Sequence, residues 1–210
     1  MAQLTAYPNS VDTSISKYDS VVSNYPFSNV YGKSETSTSS TRWNLVEGKN
    51  AVTEVYFTFD LSAVPSDASV GTVSCIAKGA VENDGSARGG KNRIALCNGT
   101  TVLVQSDEET FEEKAATASV STTGFTRSTL DNLRFKYQIT RGSMGTDNTY
   151  YAEFFGCTLT VEYTVSSGDK FLLKTNGVWN EYTQVYKKVN GAWGLQTDMK
   201  TIFDSDMKYV

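Results

Sequence analysis

The stretch Thr53-Glu54-Val55-Tyr56-Phe57-Thr58-Phe59-Asp60-Leu61 decides how this chain folds. Val55, Phe57, Phe59 and Leu61 recur at every second position among more polar neighbours. A period of two is the mark of an extended strand with one buried face. Pro65 and Ser66-Asp67 supply a turn, and Val70 to Lys78 then sets Val73, Cys75 and Ala77 on one side of a second strand.

Working outward, Ile94 to Cys97 and Thr101 to Val104 flank Asn98-Gly99, a dipeptide whose backbone preferences match a hairpin turn. Ser128-Thr129-Leu130-Asp131-Asn132-Leu133 reads as one helical turn capped by a hydroxyl side chain. After it, Leu133, Phe135, Tyr137 and Ile139 oppose Arg134, Lys136 and Gln138, the pattern of a sheet with one wet side. Tyr150 to Phe155 and Thr158 to Val165 read as two further strands, the second with Leu159, Val161, Tyr163 and Val165 in register. Residues 1 to about 50 are rich in Ser, Thr and Asn but carry Tyr7, Tyr18, Tyr25, Phe27, Tyr31 and Trp43. So many rings predict short strands and ordered loops anchored on the core rather than disorder.

These elements sum to an all-β antiparallel β-sandwich, jelly-roll-like, over residues 1–165. Ser166-Ser167-Gly168-Asp169 is a polar break, and the composition changes after it. Lys174-Thr175-Asn176-Gly177-Val178-Trp179 is echoed 14 residues later by Lys188-Val189-Asn190-Gly191-Ala192-Trp193. Residues 166–210 therefore read as a small C-terminal β-meander module with two Asn-Gly-x-Trp units, too small to be stable without support.

Composition removes most chemistry. The chain of 210 residues has no histidine, and with it go the usual general base near neutral pH and the commonest metal ligand. No nucleophile elbow, phosphate loop or dinucleotide fingerprint is present. The reading is therefore no enzyme, with no catalytic residue, cofactor or metal assigned. Carboxylate chemistry needs no histidine, and Glu54, Asp60, Glu82, Asp84, Glu153 and Glu162 are formally available for it; acids on outer strand faces serve solubility in the ordinary case. The acidic run Asp107 to Glu113 and the cluster Glu82-Asn83-Asp84-Gly85 hold oxygen ligands of the calcium type, but neither forms a complete ligand loop. Three widely spaced cysteines, Cys75, Cys97 and Cys157, sit in strand-like stretches and read as small buried apolar residues.

The net charge of −4 is mild and both signs are scattered, so no basic face speaks for nucleic acid. No apolar run is long enough to span a bilayer and the opening residues lack the features of an export signal, which predicts a soluble chain without membrane insertion. Aromatics are the remaining candidates, since they stack on sugar faces and anchor interfaces. Tyr18, Tyr25, Tyr31 and Trp43, read as loop residues, are the candidate glycan or partner contacts. Trp179, Trp193 and the apolar pair Ile202-Phe203 are the candidate docking residues of the C-terminal module.

Three stretches carry a family resemblance: Ala6-Tyr7-Pro8-Asn9-Ser10; Val55-Tyr56-Phe57-Thr58-Phe59-Asp60-Leu61-Ser62-Ala63-Val64-Pro65; and Phe154-Phe155-Gly156-Cys157-Thr158-Leu159-Thr160-Val161-Glu162-Tyr163. Together they resemble a jelly-roll module of accessory virion proteins from bacteriophages of Firmicutes, over roughly residues 5 to 165. The segment around Phe59-Asp60-Leu61 is also similar to carbohydrate-binding jelly rolls of secreted polysaccharide-handling proteins. The Asn-Gly-x-Trp tail resembles short C-terminal modules of phage minor structural and fibre proteins. The resemblance implies a virion structural protein made in the host cytoplasm, a homo-oligomer or present in many copies on the particle, and partnered by other capsid or tail proteins. The sandwich pattern starts within the first ten residues and no heptads precede it, which favours capsid decoration over a tail fibre. The competing expectation is a receptor- or carbohydrate-binding module for host cell-wall glycans, and the third a carboxylate-dependent glycan hydrolase.

Overall fold

A computed structural model of the chain describes residues 1–48, 50–82, 91–110, 115–140, 151–165, 171–175, 178–182, 185–189 and 192–196, the last four as backbone pairing only. The chain forms two compact units, Met1–Val165 and Ser166–Val210.

In the first unit the strands are β1 (Ala2–Ala6), β2 (Pro8–Val11), β3 (Thr41–Asn44), β4 (Val52–Phe59), β5 (Ala68–Glu82), β6 (Lys91–Asn98), β7 (Thr101–Gln105), β8 (Glu109–Thr110), β9 (Ala116–Thr122), β10 (Leu133–Thr140) and β11 (Tyr151–Val165). One 3-10 turn (Phe27–Val30) and one short helix, α1 (Arg127–Leu130), interrupt them. One sheet runs β1-β11-β5-β9, with β3 also along β11; the other runs β2-β4-β10-β6-β7, with β8 along β6. Every described pairing is antiparallel. From β3 onward the chain swaps sheets at almost every connection, and the early β4 and β5 lie beside the late β10 and β11. This is a jelly-roll sandwich.

Alternation builds the core as the sequence predicts. Val55 and Phe57 of β4, Leu133, Phe135, Tyr137 and Ile139 of β10, and Val73, Cys75 and Ala77 of β5 are all buried. Phe57 and Phe154 meet across the interior with ring centroids 4.6 Å apart, and Phe135 stacks on Phe154 at 5.7 Å. Such pairs each add about 0.5–1.5 kcal/mol beyond the area they bury. The N-terminal aromatics are anchors: Phe27 lies 5.6 Å from Trp43 and 6.1 Å from Phe57, and Tyr18 meets Phe27 edge-on at 5.4 Å.

Three expectations are corrected. The last two strands of the sandwich are one strand, β11, with a register shift between Phe154 and Gly156. Gly156 has φ +133°, and a Cβ there would lie 2.6 Å from the carbonyl oxygens of Lys33 and Ser34. The break between the two expected strands is thus a bulge where another backbone crosses the strand. Second, the outer face of β10 is not uniformly wet: Lys136 is only 6 % exposed. The chain after β2 hydrogen-bonds to β4 from Asp12 to Lys17, and Ile15 packs on a cluster of Tyr56, Ala95 and Cys97 on that outer side. Third, Trp43 lies in β3, not in a loop.

The second unit holds β12 (Phe171–Thr175) paired with β13 (Val178–Tyr182), and β14 (Val185–Val189) paired with β15 (Ala192–Gln196). The described residues therefore form two separate two-stranded sheets rather than one continuous meander. Asn176-Gly177 and Asn190-Gly191 fall between the paired strands, outside the described residues.

Candidate functional site

β3 lies at the margin of the five-stranded sheet, and its register puts Arg42 directly opposite Glu153 and Asn44 opposite Tyr151. Arg42 uses that placement: Nε and Nη2 each approach Oε1 of Glu153 at 3.0 Å, and Nη1 donates to the Tyr151 hydroxyl at 3.2 Å. Ser40 Oγ donates to the same carboxylate oxygen. The preceding segment is laid along β3 by Arg42 N donating to Tyr25 O and Val22 N donating to Arg42 O, both at 3.0 Å. Tyr25 thereby brings its ring to 4.1 Å from the guanidinium, while the Tyr151 ring stands at 5.0 Å on the same cation. Nearby in sequence, Lys78 Nζ lies 4.6 Å from the Phe155 ring.

The result is a cation held against two half-buried rings, beside a carboxylate that is 5 % exposed. Arg suits such stacking because its guanidinium is planar and weakly hydrated. Chemically the cluster offers a partly exposed aromatic and guanidinium surface; its carboxylate is consumed by Arg42 and Ser40.

The four glycan or partner candidates fare differently. Trp43 is fully buried among Phe27, Phe57 and Tyr137, so it has no face to present to a ligand, and its reading as a surface contact is corrected. Tyr18 and Tyr31 are half-buried and pack on the core; Tyr25 alone joins the cluster at β3. Burial pushes the Tyr31 phenol up from its ordinary value. Trp179 and Trp193 lie on β13 and β15, opposite Lys174 and Lys188, while Ile202 and Phe203 lie outside the described residues. Sequence reasoning did not single out Arg42 or Tyr151. The available signal was weak, a charged residue one position before the buried Trp43.

Several other carboxylates are also committed. Glu54 accepts from Lys136 Nζ at 3.2 Å and from the Tyr56 hydroxyl at 3.4 Å; burial, then the nearby Glu54, pushes the Tyr56 phenol up. Asp60 caps its own turn, accepting from Ser62 Oγ at 2.6 Å and Ser62 N at 3.0 Å, which holds its carboxyl below the usual value. Asp12 pairs with Arg134 at 3.1 Å and accepts from Ser14 Oγ at 2.6 Å. In the acidic run, Glu108 binds Lys91 at 2.6 Å and Arg93 at 2.7 Å. Among the described residues no group of three or more His, Cys, Asp or Glu converges as a metal site; Asp84, Glu112 and Glu113 lie outside them. The cysteines are free and buried. Burial raises the Cys97 thiol to about 11, and burial together with a hydrogen bond to Cys75 raises Cys157 well above its ordinary value.

No family model matches the chain. No curated protein matches it. Among solved structures it is similar to a Stig cyclase, Fisc from Fischerella sp. TAU in complex with (3Z)-3-(1-methyl-2-pyrrolidinylidene)-3H-indole, with 17% identity over 76% of this chain and 84% of that chain and a TM-score of 0.37. That degree of likeness carries no argument about what this chain does.

Proposed function

We propose that the chain is a non-catalytic structural subunit of a bacteriophage virion, displayed in many copies on the capsid exterior. The observation that carries the reading is where the reactive and sticky side chains go. Glu54, Asp12, Glu108 and Glu153 are tied to cations on neighbouring segments, and Trp43 and Phe27 are packed into the core. A chain that spends its acids and rings on its own rigidity suits a scaffold whose surfaces do the work. The three stretches that resemble phage jelly-roll modules supply the virion context, and the C-terminal unit is the natural docking piece for capsid or sister subunits. Immunogold labelling of intact particles with antibody against the chain tests this: gold over heads is expected, and particles without gold would sink the reading.

A second reading is favoured by one observation, the partly exposed Tyr25, Arg42 and Tyr151 cluster. Aromatic and guanidinium faces bind sugars, so a tail-fibre or receptor-binding module for host cell-wall glycans would use this surface rather than Trp43. Gold over tails, with saturable cell-wall binding lost on Tyr25→Ala, is the result that would replace the first reading by this one.

A further inference from the structure

Three side chains in the sandwich interior carry polar atoms without a hydrogen-bond partner among the described residues: Trp43 Nε1, Tyr137 Oη and both amide atoms of Asn92. Their residues are 0 %, 1 % and 1 % exposed. They belong to one neighbourhood. Asn92 stands opposite Ile139, and Ile94 opposite Tyr137, so Asn92 and Tyr137 are diagonal neighbours on the inner face of adjacent strands. Such neighbours lie about 7 Å apart between backbones, within reach of long side chains. The Trp43 ring in turn meets the Tyr137 ring at 5.7 Å, nearly perpendicular.

Each of these groups is expensive to leave dry, and natural interiors keep few of them. Asn92 is the telling one, because it occupies an inward position in a strand whose next inward residues are Ile94 and Leu96. A leucine there would have continued the pattern without an unmet amide. What satisfies the set must give and take hydrogen bonds at once: the indole N–H and the amide NH2 donate, the amide oxygen accepts, and the phenol does either. It must also be small and neutral. An anion would face Glu153, whose carboxylate acts on the Tyr137 phenol across this end of the fold.

We propose that Asn92, Tyr137 and Trp43 enclose a site for ordered water between the two sheets, at the end of the sandwich where β6 begins and β10 ends. The water accepts from Asn92 Nδ2 or Trp43 Nε1 and donates to Asn92 Oδ1 or Tyr137 Oη, completing bonds that no described protein atom supplies. Buried waters of this kind make about three hydrogen bonds and stay with the fold.

Magnetic relaxation dispersion of solvent nuclei on the full chain reads such water directly, since it exchanges more slowly than the protein tumbles. The native chain is expected to show a dispersion step from internal water. Asn92→Leu, checked for its β circular-dichroism spectrum, is expected to lose part of that step, and Tyr137→Phe to lose some of it as well. Tyr137→Phe removes a single atom, so it serves alone if Asn92→Leu does not fold. A native chain without the step, or folded variants that keep its full amplitude, would overturn the proposal.

Discussion

Tyr137 of β10 reaches across the sandwich and lays its phenol directly on the backbone of Gly79 in β5, where a Cβ would come within 2.7 Å of the ring carbon bearing the hydroxyl. Both residues are buried, and Gly79 is itself flanked in register by Phe154, so neither partner has room to withdraw. Gly79→Ala is therefore expected to destabilise the fold by about 1–3 kcal/mol through overpacking. Tyr137→Phe in the same chain should return part of that loss, because the hydroxyl is the nearest clashing atom. Urea unfolding of the two single variants and the double variant measures the coupling; purely additive losses would show that the contact is not the cause.

Trp43→Ala removes the largest fully buried side chain and is expected to cost about 3–5 kcal/mol. Tyr25→Ala removes a half-buried ring over Arg42 and should cost about 1 kcal/mol, within the range of a partly exposed cation and ring pair. Thermal melts of both variants check the ranking. Any binding lost with Trp43→Ala must be read against that loss of stability, whereas Tyr25→Ala is a clean probe of the surface.

Gly156→Ala combines a strained φ with a collision against the carbonyl oxygens of Lys33 and Ser34. A loss of about 2–4 kcal/mol is expected, more than either overpacking or left-handed backbone strain alone. If the melting temperature is unchanged, the crossing of segment 33–34 over the bulge is wrong.

The pH dependence has a definite sign on each side. Asp12, Asp60 and Glu108 titrate below their ordinary values of 3.8, 3.8 and 4.5. The unfolded chain therefore binds more protons, and the stability these groups lend at neutral pH is lost as pH falls below about 4.5. On the alkaline side Cys97 rises from 9.0 to about 11, so the folded chain holds its proton longer. The stability that this thiol lends is fully present at pH values below 9 and falls as pH climbs toward 11, by on the order of 3 kcal/mol. Denaturant titrations across the pH range would show both limbs. A thiol reagent at pH 8 should label none of Cys75, Cys97 and Cys157 in the native chain and all of them in urea.

How far the sequence leads follows from what each pattern encodes. Period-two burial encodes strands, so β4, β5 and β10 are legible from Val55, Phe57, Val73, Cys75 and Phe135 alone, while the hairpin is legible from its Asn98-Gly99 turn. Gly156 misleads because a bulge breaks the two-residue alternation just as a gap between two strands does, and only the passing carbonyls of Lys33 and Ser34 tell them apart. Lys136 misleads because its burial depends on a strap from residues 12–17, which alternation within β10 cannot foresee. Trp43 misleads for a related reason: a four-residue strand amid Ser and Thr carries too few positions to show its period. The Arg42 cluster is a product of cross-strand register between residues more than a hundred positions apart, and no local spacing contains it.

β11 is flanked by β1 and β3 on one side and by β5 on the other, although it is the last sandwich strand to be made. The five-stranded sheet therefore cannot close while the ribosome is still working toward Val165, and the earlier strands must wait with their edges open. Loop closure over such sequence distances is slow, so the newborn chain passes through an interval in which chaperones, or premature pairing with a neighbouring copy, compete for the gap that β11 is meant to fill.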